Sequence, residues 1–275
     1  MIKDPILINV SLPKTSSSSL ADYCNQYCFA THEAWHSDMT NAIIKNHLGE
    51  YPDESLRNFY IFRNTYYQHD VDSSTFNHFI MEDIFNIFPN SSYIYIYRDC
   101  CSWVASMLNM WHSFNVLHKK RMKDTDKQVS QSSSEWLDWI NKYSTLYSPN
   151  LSDDFWDLSN FDIQSVYFRK LVSDLTEFWI QLGNRVLKAK KTNYKLHVFP
   201  LSQSSEIPVF LNSLFSADID FQSMYYPTSN KSSIKKTNNR YLTDALISSV
   251  TPSQLLKDSC AIYVKLSGLF GQQRT

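Results

Sequence analysis

Residues 6–21 read ILINVSLPKTSSSSLA, and this stretch decides the fold. Its apolar, largely β-branched start predicts a short buried strand, and Pro13 ends that strand because proline cannot donate to a sheet ladder. Lys14 and five hydroxyl residues follow, and a segment with helical periodicity opens at Leu20. A strand, a lysine- and hydroxyl-rich turn and a helix N-terminus together predict an anion site for a phosphate or a sulfate ester.

An ordinary linker is the alternative interpretation of the same stretch. Serine is frequent in the chain, with another run at 132–134, so the four serines of the turn could simply form a linker or a helix cap. A P-loop would show the pattern G-x-x-x-x-G-K-[ST], and residues 6–21 contain no glycine. The segment alone leaves both interpretations open.

Length, composition and charge bound the class of protein. The chain has 275 residues, of which 43% are hydrophobic and 15% aromatic, so it can bury a large core in one α/β domain. The formal net charge of −1 provides no global basic field for nucleic acid or an anionic membrane, and neither partner is expected. Basic residues should instead gather where an anion binds.

The cysteine spacing indicates a reducing compartment, and the hydropathy indicates a soluble protein. None of the five cysteines has C-x-x-C spacing, and no histidine pair stands at zinc-finger distance, so neither a disulfide framework nor a bound metal is expected. No apolar run approaches the ~18 residues of a membrane span. We therefore expect a cytoplasmic protein.

Two polar clusters follow residues 14–19, which are called the anion loop below. His32-Glu33 could place an acid or a base near the bound group, or it could be a solvated helix start. The second cluster follows a strand predicted at Asn58–Phe62 and precedes a helix predicted from Phe76 to Phe88. Its residues would either cap that helix or contact the substrate. They are His69, Asp70, Asp72, Ser73 and Ser74.

Residues 92–107, SYIYIYRDCCSWVASM, form the second informative stretch. The aromatic and β-branched run predicts a core strand, with Arg98 at its carboxyl end. Ser106 follows eight residues later on the next predicted helix. A guanidinium and a hydroxyl could bind one phosphate there. The alternative is a surface pair of Arg98 with Asp99 and an ordinary helical serine.

The rest of the chain predicts regular elements around one irregular segment. Residues 111–162 are polar with little periodicity. Their charges favour a solvated surface insertion, but long loops often form a lid or a substrate wall, and the segment is interpreted as such an insertion. Its candidate acceptor contacts are Trp111, His112, Trp136 and Trp139. A helix is predicted at 165–190, a strand at 195–200, a helix at 208–215 and one more helix in the tail from 246 to 275.

The two anion motifs together resemble those of sulfotransferases. PKTSSSSLA is similar to their phosphosulfate-binding loop, commonly PKTGTTSLA, and the eight-residue spacing of Arg98 and Ser106 is similar to their 3′-phosphate motif. More narrowly, the chain resembles a bacterial group with a His-Glu, a D-S-x-x-x-N and an RDCYSWLxSxLN motif. The matching residues are Lys14 to Ser19, His32-Glu33, Asp72-Ser73 with Asn77, and Arg98 to Asn109.

This resemblance implies a fold and a reaction. The fold is one three-layer α/β domain over 1–275 with a mainly parallel sheet and a P-loop-like loop. The reaction is sulfuryl transfer from 3′-phosphoadenosine 5′-phosphosulfate (PAPS), with adenosine 3′,5′-bisphosphate (PAP) as product and no metal. Lys14 and the loop hydroxyls would bind the 5′-phosphosulfate, and Arg98, Ser106 and a late basic loop would bind the 3′-phosphate. The loop residues are Thr15, Ser16, Ser17, Ser18 and Ser19, and the late lysines are Lys231 and Lys235. An ordinary solvated lysine loop is the alternative for the late segment.

The proton acceptor and the substrate stay open. His32, Glu33, His69 and Asp72 are the candidate bases, with His32 and Asp72 first. A small polar or cationic metabolite, such as a saxitoxin-type guanidinium toxin of a natural-product pathway, is the acceptor hypothesis. A kinase-like phosphoryl transferase and a catalytically impaired, nucleotide-binding homologue remain as alternatives.

Overall fold

The structure, a computed structural model, describes residues 3–123, 143–148, 163–215, 219–221 and 242–272. Lys231 and Lys235 of the predicted basic loop lie outside these ranges, as do Trp136 and Trp139. The described residues group into two compact units. The first takes its residues from 1–98, 182–231 and 262–275, and the second from 99–181 and 232–261.

The elements alternate between short strands and helices. The strands are β1 (Leu7–Asn9), β2 (Ala30–Thr31), β3 (Val71–Asp72), β4 (Ser92–Tyr97) and β5 (Leu196–Pro200). The helices are α1 (Ser17–Cys24), α2 (His36–His47), α3 (Asp53–Tyr67), α4 (Met81–Ile87), α5 (Cys100–Lys123), α6 (Val166–Thr192), α7 (Ile207–Leu214), α8 (Asp244–Val250) and α9 (Ser253–Gln272). A 3₁₀ segment at Leu201–Glu206 precedes α7.

The five strands of the described residues all belong to the first unit and form one parallel sheet in the order β2-β3-β1-β4-β5. From β1 the chain adds strands first on one side and then on the other. The strand order therefore turns between β1 and β4, and ligands of such sheets bind beyond the carboxyl ends of the strands at this point. The anion loop follows β1 there, and Arg98 follows β4.

Helices cover both faces of the sheet. On one face Leu7, Ile94 and Ile96 pack with residues of α1 and α7 in a single buried cluster. On the other face the tyrosines of β4 reach helices: the Tyr93 hydroxyl donates to the Phe88 carbonyl just after α4 (2.5 Å). The first unit is therefore the predicted α/β sandwich of a parallel sheet between helical layers.

The strand predicted at Asn58–Phe62 is wrong, because these residues lie within α3. Burial along this helix falls on Leu56, Tyr60 and Arg63, a helical spacing, whereas Phe62 is 59% exposed. An aromatic, β-branched run favours a strand locally. Here the burial of one helical face, which includes Tyr60 and Arg63, stabilises a helix instead.

Other predictions differ at their boundaries. The helices predicted at 165–190 and 208–215 and the strand at 195–200 are confirmed as α6, α7 and β5. The tail forms two helices instead of one, with Pro252 between them. The helix predicted from Phe76 begins only at Met81. The Asp72 carboxylate accepts from the Ser74 N–H, and the Ser74 hydroxyl accepts from the Phe76 N–H. These side-chain bonds to the backbone favour a turn before the helix.

The second unit contains α5 and α8. Helix α5 continues to Lys123, so the first part of the predicted insertion, 111–123, is helical. Trp111 is fully buried, and its ring centroid lies 6.4 Å from that of Tyr147. Asn109 donates to the carbonyl of Leu242 just before α8 (2.9 Å). A lid or substrate-wall role for 111–162 and a single-domain organisation both stay predictions.

Candidate functional site

The anion loop has an unusual backbone. Lys14 and Ser16 both adopt left-handed conformations, with φ of +63° and +83°. Thr15 between them is fully buried, and its hydroxyl donates to the Leu12 carbonyl. Ser16 occupies the position of the glycine in the PKTGTTSLA pattern that the loop resembles. The left-handed conformation, free for glycine, costs an L-residue about 1–2 kcal/mol.

Helix α1 presents its N-terminus to this loop. It begins at Ser17, so three of the loop serines, Ser17, Ser18 and Ser19, form its first turn. The Ser16 side chain makes no capping hydrogen bond to the helix, and the first turn contains no acidic residue. Because the first N–H groups of a helix have no intrahelical acceptor, this N-terminus can bind an anion.

The predicted His32-Glu33 pair lies beside this N-terminus. His32 follows β2, and its Nε2 atom is 3.2 Å from the Ser17 hydroxyl oxygen. The same Nε2 is 3.7 Å from Oε1 of Glu33, and Thr75 donates to that oxygen (2.5 Å). The His32 side chain is 32% exposed, so its imidazole is accessible to a substrate. The structure thus brings His32 and Glu33 together with the predicted loop.

Asp72 has a different environment, with its side chain 1% exposed. Its carboxylate accepts from the Arg63 guanidinium of α3 and lies 2.6 Å from the Tyr60 hydroxyl. Burial alone would raise the pKa of Asp72, but the Arg63 charge, the nearby His69 and the hydrogen bonds of Tyr60 and Asn77 together outweigh burial and hold the pKa below its ordinary value. Asp72 is therefore ionised, buried and fully engaged, and its position suits a structural role.

His69 belongs to the same buried cluster. Its Nε2 is 3.8 Å from Asp72 Oδ2, and its Nδ1 is 3.1 Å from the Thr31 hydroxyl. Burial lowers the pKa of His69, which keeps the imidazole neutral at pH 7. Of the four candidate bases, His32 and Glu33 are the partly exposed ones, and His69 and Asp72 are buried.

Arg98, Ser106 and the late lysines are placed less completely. Arg98 is half-buried directly after β4 in the first unit, at the same edge of the sheet as the anion loop. Ser106 lies on α5 of the second unit. A joint role of Arg98 and Ser106 with Lys231 and Lys235 in binding a 3′-phosphate stays a prediction.

Sequence reasoning named Ser73 but missed Asn9, His78 and the buried hydrogen bonds beneath the loop. Asn9 at the end of β1 donates to the Ser73 hydroxyl (3.0 Å), and Ser73 donates to the Ser17 carbonyl (2.6 Å). His78 is fully buried nearby, and burial and the Arg185 charge lower its pKa to about 3. For Asn9 the sequence signal was a polar residue within the apolar strand run.

The described residues contain no group of three or more His, Cys, Asp or Glu side chains arranged to hold a metal ion. None of the helices within the described ranges combines the length and apolar character that crossing a bilayer requires. The candidate groups of the site are a lysine, serine hydroxyls, the backbone N–H groups of the first α1 turn and an imidazole.

A loop between a parallel strand and a helix N-terminus, with a nearby imidazole, is an arrangement that suits a phosphate or a sulfate ester. A family model described as "Sulfotransferase domain" matches residues 7–177, which is more than half of the chain. The chain therefore belongs to the sulfotransferase-domain family. A comparison with curated proteins found no match.

Proposed function

We propose that this sulfotransferase-family protein transfers a sulfuryl group from PAPS to a hydroxyl or amine of a small polar metabolite. The observation that carries the proposal is the juxtaposition of the α1 N-terminus with His32, whose Nε2 is 3.2 Å from the Ser17 hydroxyl. An anion-binding turn and a proton acceptor are the two parts that such a transfer needs.

The loop residues would bind and orient the donor. The N–H groups of the first α1 turn and the hydroxyls of Thr15 to Ser19 would hold the 5′-phosphosulfate. Lys14 would neutralise the charge that grows on the bridging oxygen, an interaction that strengthens in the transition state. Arg98 and Ser106, with Lys231 or Lys235, would hold the 3′-phosphate and so fix the sulfur for in-line attack.

His32 is the proposed proton acceptor. As the acceptor oxygen or nitrogen bonds to sulfur and the sulfur–oxygen bond to the phosphate breaks, the acceptor proton passes to Nε2 of His32. The electron pair leaves with PAP, whose new charge Lys14 would neutralise. Glu33, 3.7 Å from Nε2, would stabilise the imidazolium that results. Asp72 and His69 would act by positioning β3, since both are buried.

The acceptor class follows from charge. Glu33 places a partly exposed carboxylate beside His32, which favours a cationic acceptor such as a guanidinium alkaloid of the saxitoxin type. If so, Glu33→Gln should raise the KM for a cationic acceptor much more than for a neutral analogue of the same size. Equal changes for the two acceptors would refute the electrostatic selection while leaving sulfuryl transfer itself untouched.

Calorimetric titration of PAP tests the donor site. Lys14→Ala and Arg98→Ala should each weaken PAP binding by about 1.5–3 kcal/mol, the cost of a lost charged hydrogen-bond partner. Lys195→Ala is the matched control: its ammonium bonds the carbonyls of Pro89 and Asn90 before β4, at the opposite edge of the sheet. Wild-type affinity for PAP in both Lys14→Ala and Arg98→Ala would overturn the proposed site.

The two alternatives predict different outcomes of the same titration. A kinase-like phosphoryl transferase would bind ATP with magnesium in preference to PAP. An impaired homologue would bind PAP and fail to turn over PAPS with any acceptor. The serine-substituted loop is the observation that keeps this last alternative in view, because Ser16 carries the strain that a glycine would not.

A further inference from the structure

A line of buried hydrogen bonds connects the carboxyl end of the sheet to α1. The Ser73 hydroxyl donates to the Ser17 carbonyl (2.6 Å) and accepts from Asn9 Nδ2 (3.0 Å). Asn9 Oδ1 in turn accepts from the Ser11 N–H (2.9 Å), and the Ser11 hydroxyl accepts from the Ile96 N–H (2.6 Å). The line therefore runs from β4 through β1 and β3 to the first residue of α1.

The hydroxyl of Ser73 has a single satisfied orientation. A serine has one O–H to donate, and here it goes to Ser17, while Asn9 donates to the oxygen. Asn9 and Ser73 are 0% exposed, so water does not replace either bond. Breaking the line leaves buried polar groups unpaired, which proteins avoid at high cost.

Ser73 and Asp72 act on opposite sides of the sheet. Successive strand residues point to opposite faces, and the contacts agree: Asp72 meets Arg63 of α3, whereas Ser73 meets Ser17 of α1. Ser17 is the residue whose hydroxyl lies 3.2 Å from His32 Nε2, and it follows the left-handed Ser16. Ser73 thus binds Ser17, the residue that connects the strained loop to the helix N-terminus and also contacts the His32 imidazole.

We propose that Ser73 is a positioning residue of the donor site, which fixes the first turn of α1 against β3 and thereby enforces the glycine-free loop conformation. The part of this inference that concerns nucleotide binding rests on the proposed function. The part that concerns the geometry of Ser17 and His32 does not. Positioning by Ser73 explains how the loop keeps its shape without the glycine of the PKTGTTSLA pattern.

The test compares Ser73→Ala with Ser91→Ala. Ser91 is also 0% exposed and also donates to a backbone carbonyl, that of Pro5 (2.5 Å), but it precedes β4 at the amino edge of the sheet. Ser91→Ala loses one buried hydroxyl bond and Ser73→Ala loses two, so both should lose stability, Ser73→Ala the more of the two, and PAP binding is compared on the folded proteins. Ser73→Ala should weaken PAP binding by about tenfold, whereas Ser91→Ala should leave it unchanged. Ser73→Cys, with a poor donor of similar size, serves if the alanine variant does not fold.

Two further readouts separate positioning from mere stability. The NMR resonances of the His32 imidazole, assigned with a His32→Asn variant, should move in Ser73→Ala and stay in place in Ser91→Ala, with no nucleotide present. In a Ser16→Gly background, where the loop needs no enforcement, Ser73→Ala should cost PAP affinity several-fold less than in the wild-type background.

The outcomes distinguish the two proposals. Equal PAP affinities and unchanged His32 resonances in Ser73→Ala and Ser91→Ala would overturn the positioning role and leave the proposed function standing. A wild-type protein that does not bind PAP would refute the donor proposal, and the His32 resonances alone would then decide whether Ser73 positions the Ser17–His32 contact.

Discussion

The Asp72 carboxylate is paired with the Arg63 guanidinium at a place where the two side chains are 1% and 0% exposed. Arg63 also stacks over the Tyr60 ring, with its Cζ 4.5 Å from the centroid. Arg63 reaches Asp72 because α3 packs against the end of β3. The pair explains why a conspicuous Asp72 before two serines is buried and ionised, away from the exposed imidazole of His32.

The Arg63–Asp72 pair should be essential for stability. Arg63→Met keeps an apolar stem but leaves a buried carboxylate without its counter-charge, which typically costs about 3–5 kcal/mol. Urea unfolding at pH 7 measures the loss. Arg57→Met is the matched control on the same helix, since Arg57 pairs with Asp83 at the surface, with side chains 45% and 38% exposed. The control should cost at most about 1 kcal/mol, and equal losses would contradict the argument.

Acid should destabilise the protein through His78. Its pKa falls from 6.5 to about 3 on folding because the fully buried ring resists protonation. The unfolded chain therefore binds a proton that the folded chain excludes, so the stability present above pH 6.5 is lost as the pH falls towards 3. Between pH 7 and 5 the free energy of unfolding should fall by about 2 kcal/mol through this group.

Replacing His78 tests the pH dependence. His78→Asn should lower stability at pH 7 but lose less of it between pH 7 and 5 than the wild type does, as measured by urea unfolding at both pH values. His47→Asn is the control, because His47 is exposed on α2 and should leave the wild-type pH dependence intact. The same slope in His78→Asn and wild type would assign the acid sensitivity to another group.

A glycine at position 16 should stabilise the protein. Ser16 has φ of +83°, and Ser16→Gly removes a left-handed penalty of about 1–2 kcal/mol, less the extra entropy of glycine in the unfolded chain. We expect a gain of about 0.5–1 kcal/mol in urea unfolding. Ser18→Gly, two residues on within α1, should instead destabilise by up to about 1 kcal/mol. A loss in both variants would mean that the Ser16 side chain matters more than its backbone.

His32 should control the rate of transfer and not the binding of nucleotide. His32→Asn should lower kcat by about 10²–10⁴-fold, the usual contribution of a general base, with the affinity for PAP nearly unchanged. Steady-state kinetics with PAPS and calorimetry with PAP measure the two quantities. His36→Asn, exposed at the start of α2, is the control and should keep wild-type kcat. An unaffected rate in His32→Asn would move the base to Glu33 or elsewhere.

The sequence correctly predicted those elements whose composition, periodicity and ends are all recognisable within the element itself. The β1 strand, the loop after it, the β4 strand with Arg98 at its end and the long helix α6 each combine composition, periodicity and a stop signal. The α3 helix failed this test because NFYIF has strand-like composition, and only the burial of Tyr60 and Arg63 on one face shows its helical period. The partner of Asp72 was missed for the same reason.

The sequence by itself predicted the succession of strand, loop and helix N-terminus and indicated the sulfotransferase family, because these elements are consecutive in the chain and their signals are local. Only the tertiary structure decided which of the remaining polar residues contact the loop and which are buried in other contacts. His32 and Ser17 meet because β2 and β1 end at one edge of the sheet, and Asp72 meets Arg63 because alternate residues of β3 face opposite layers. Contacts between residues far apart in the chain depend on packing, which no local pattern encodes.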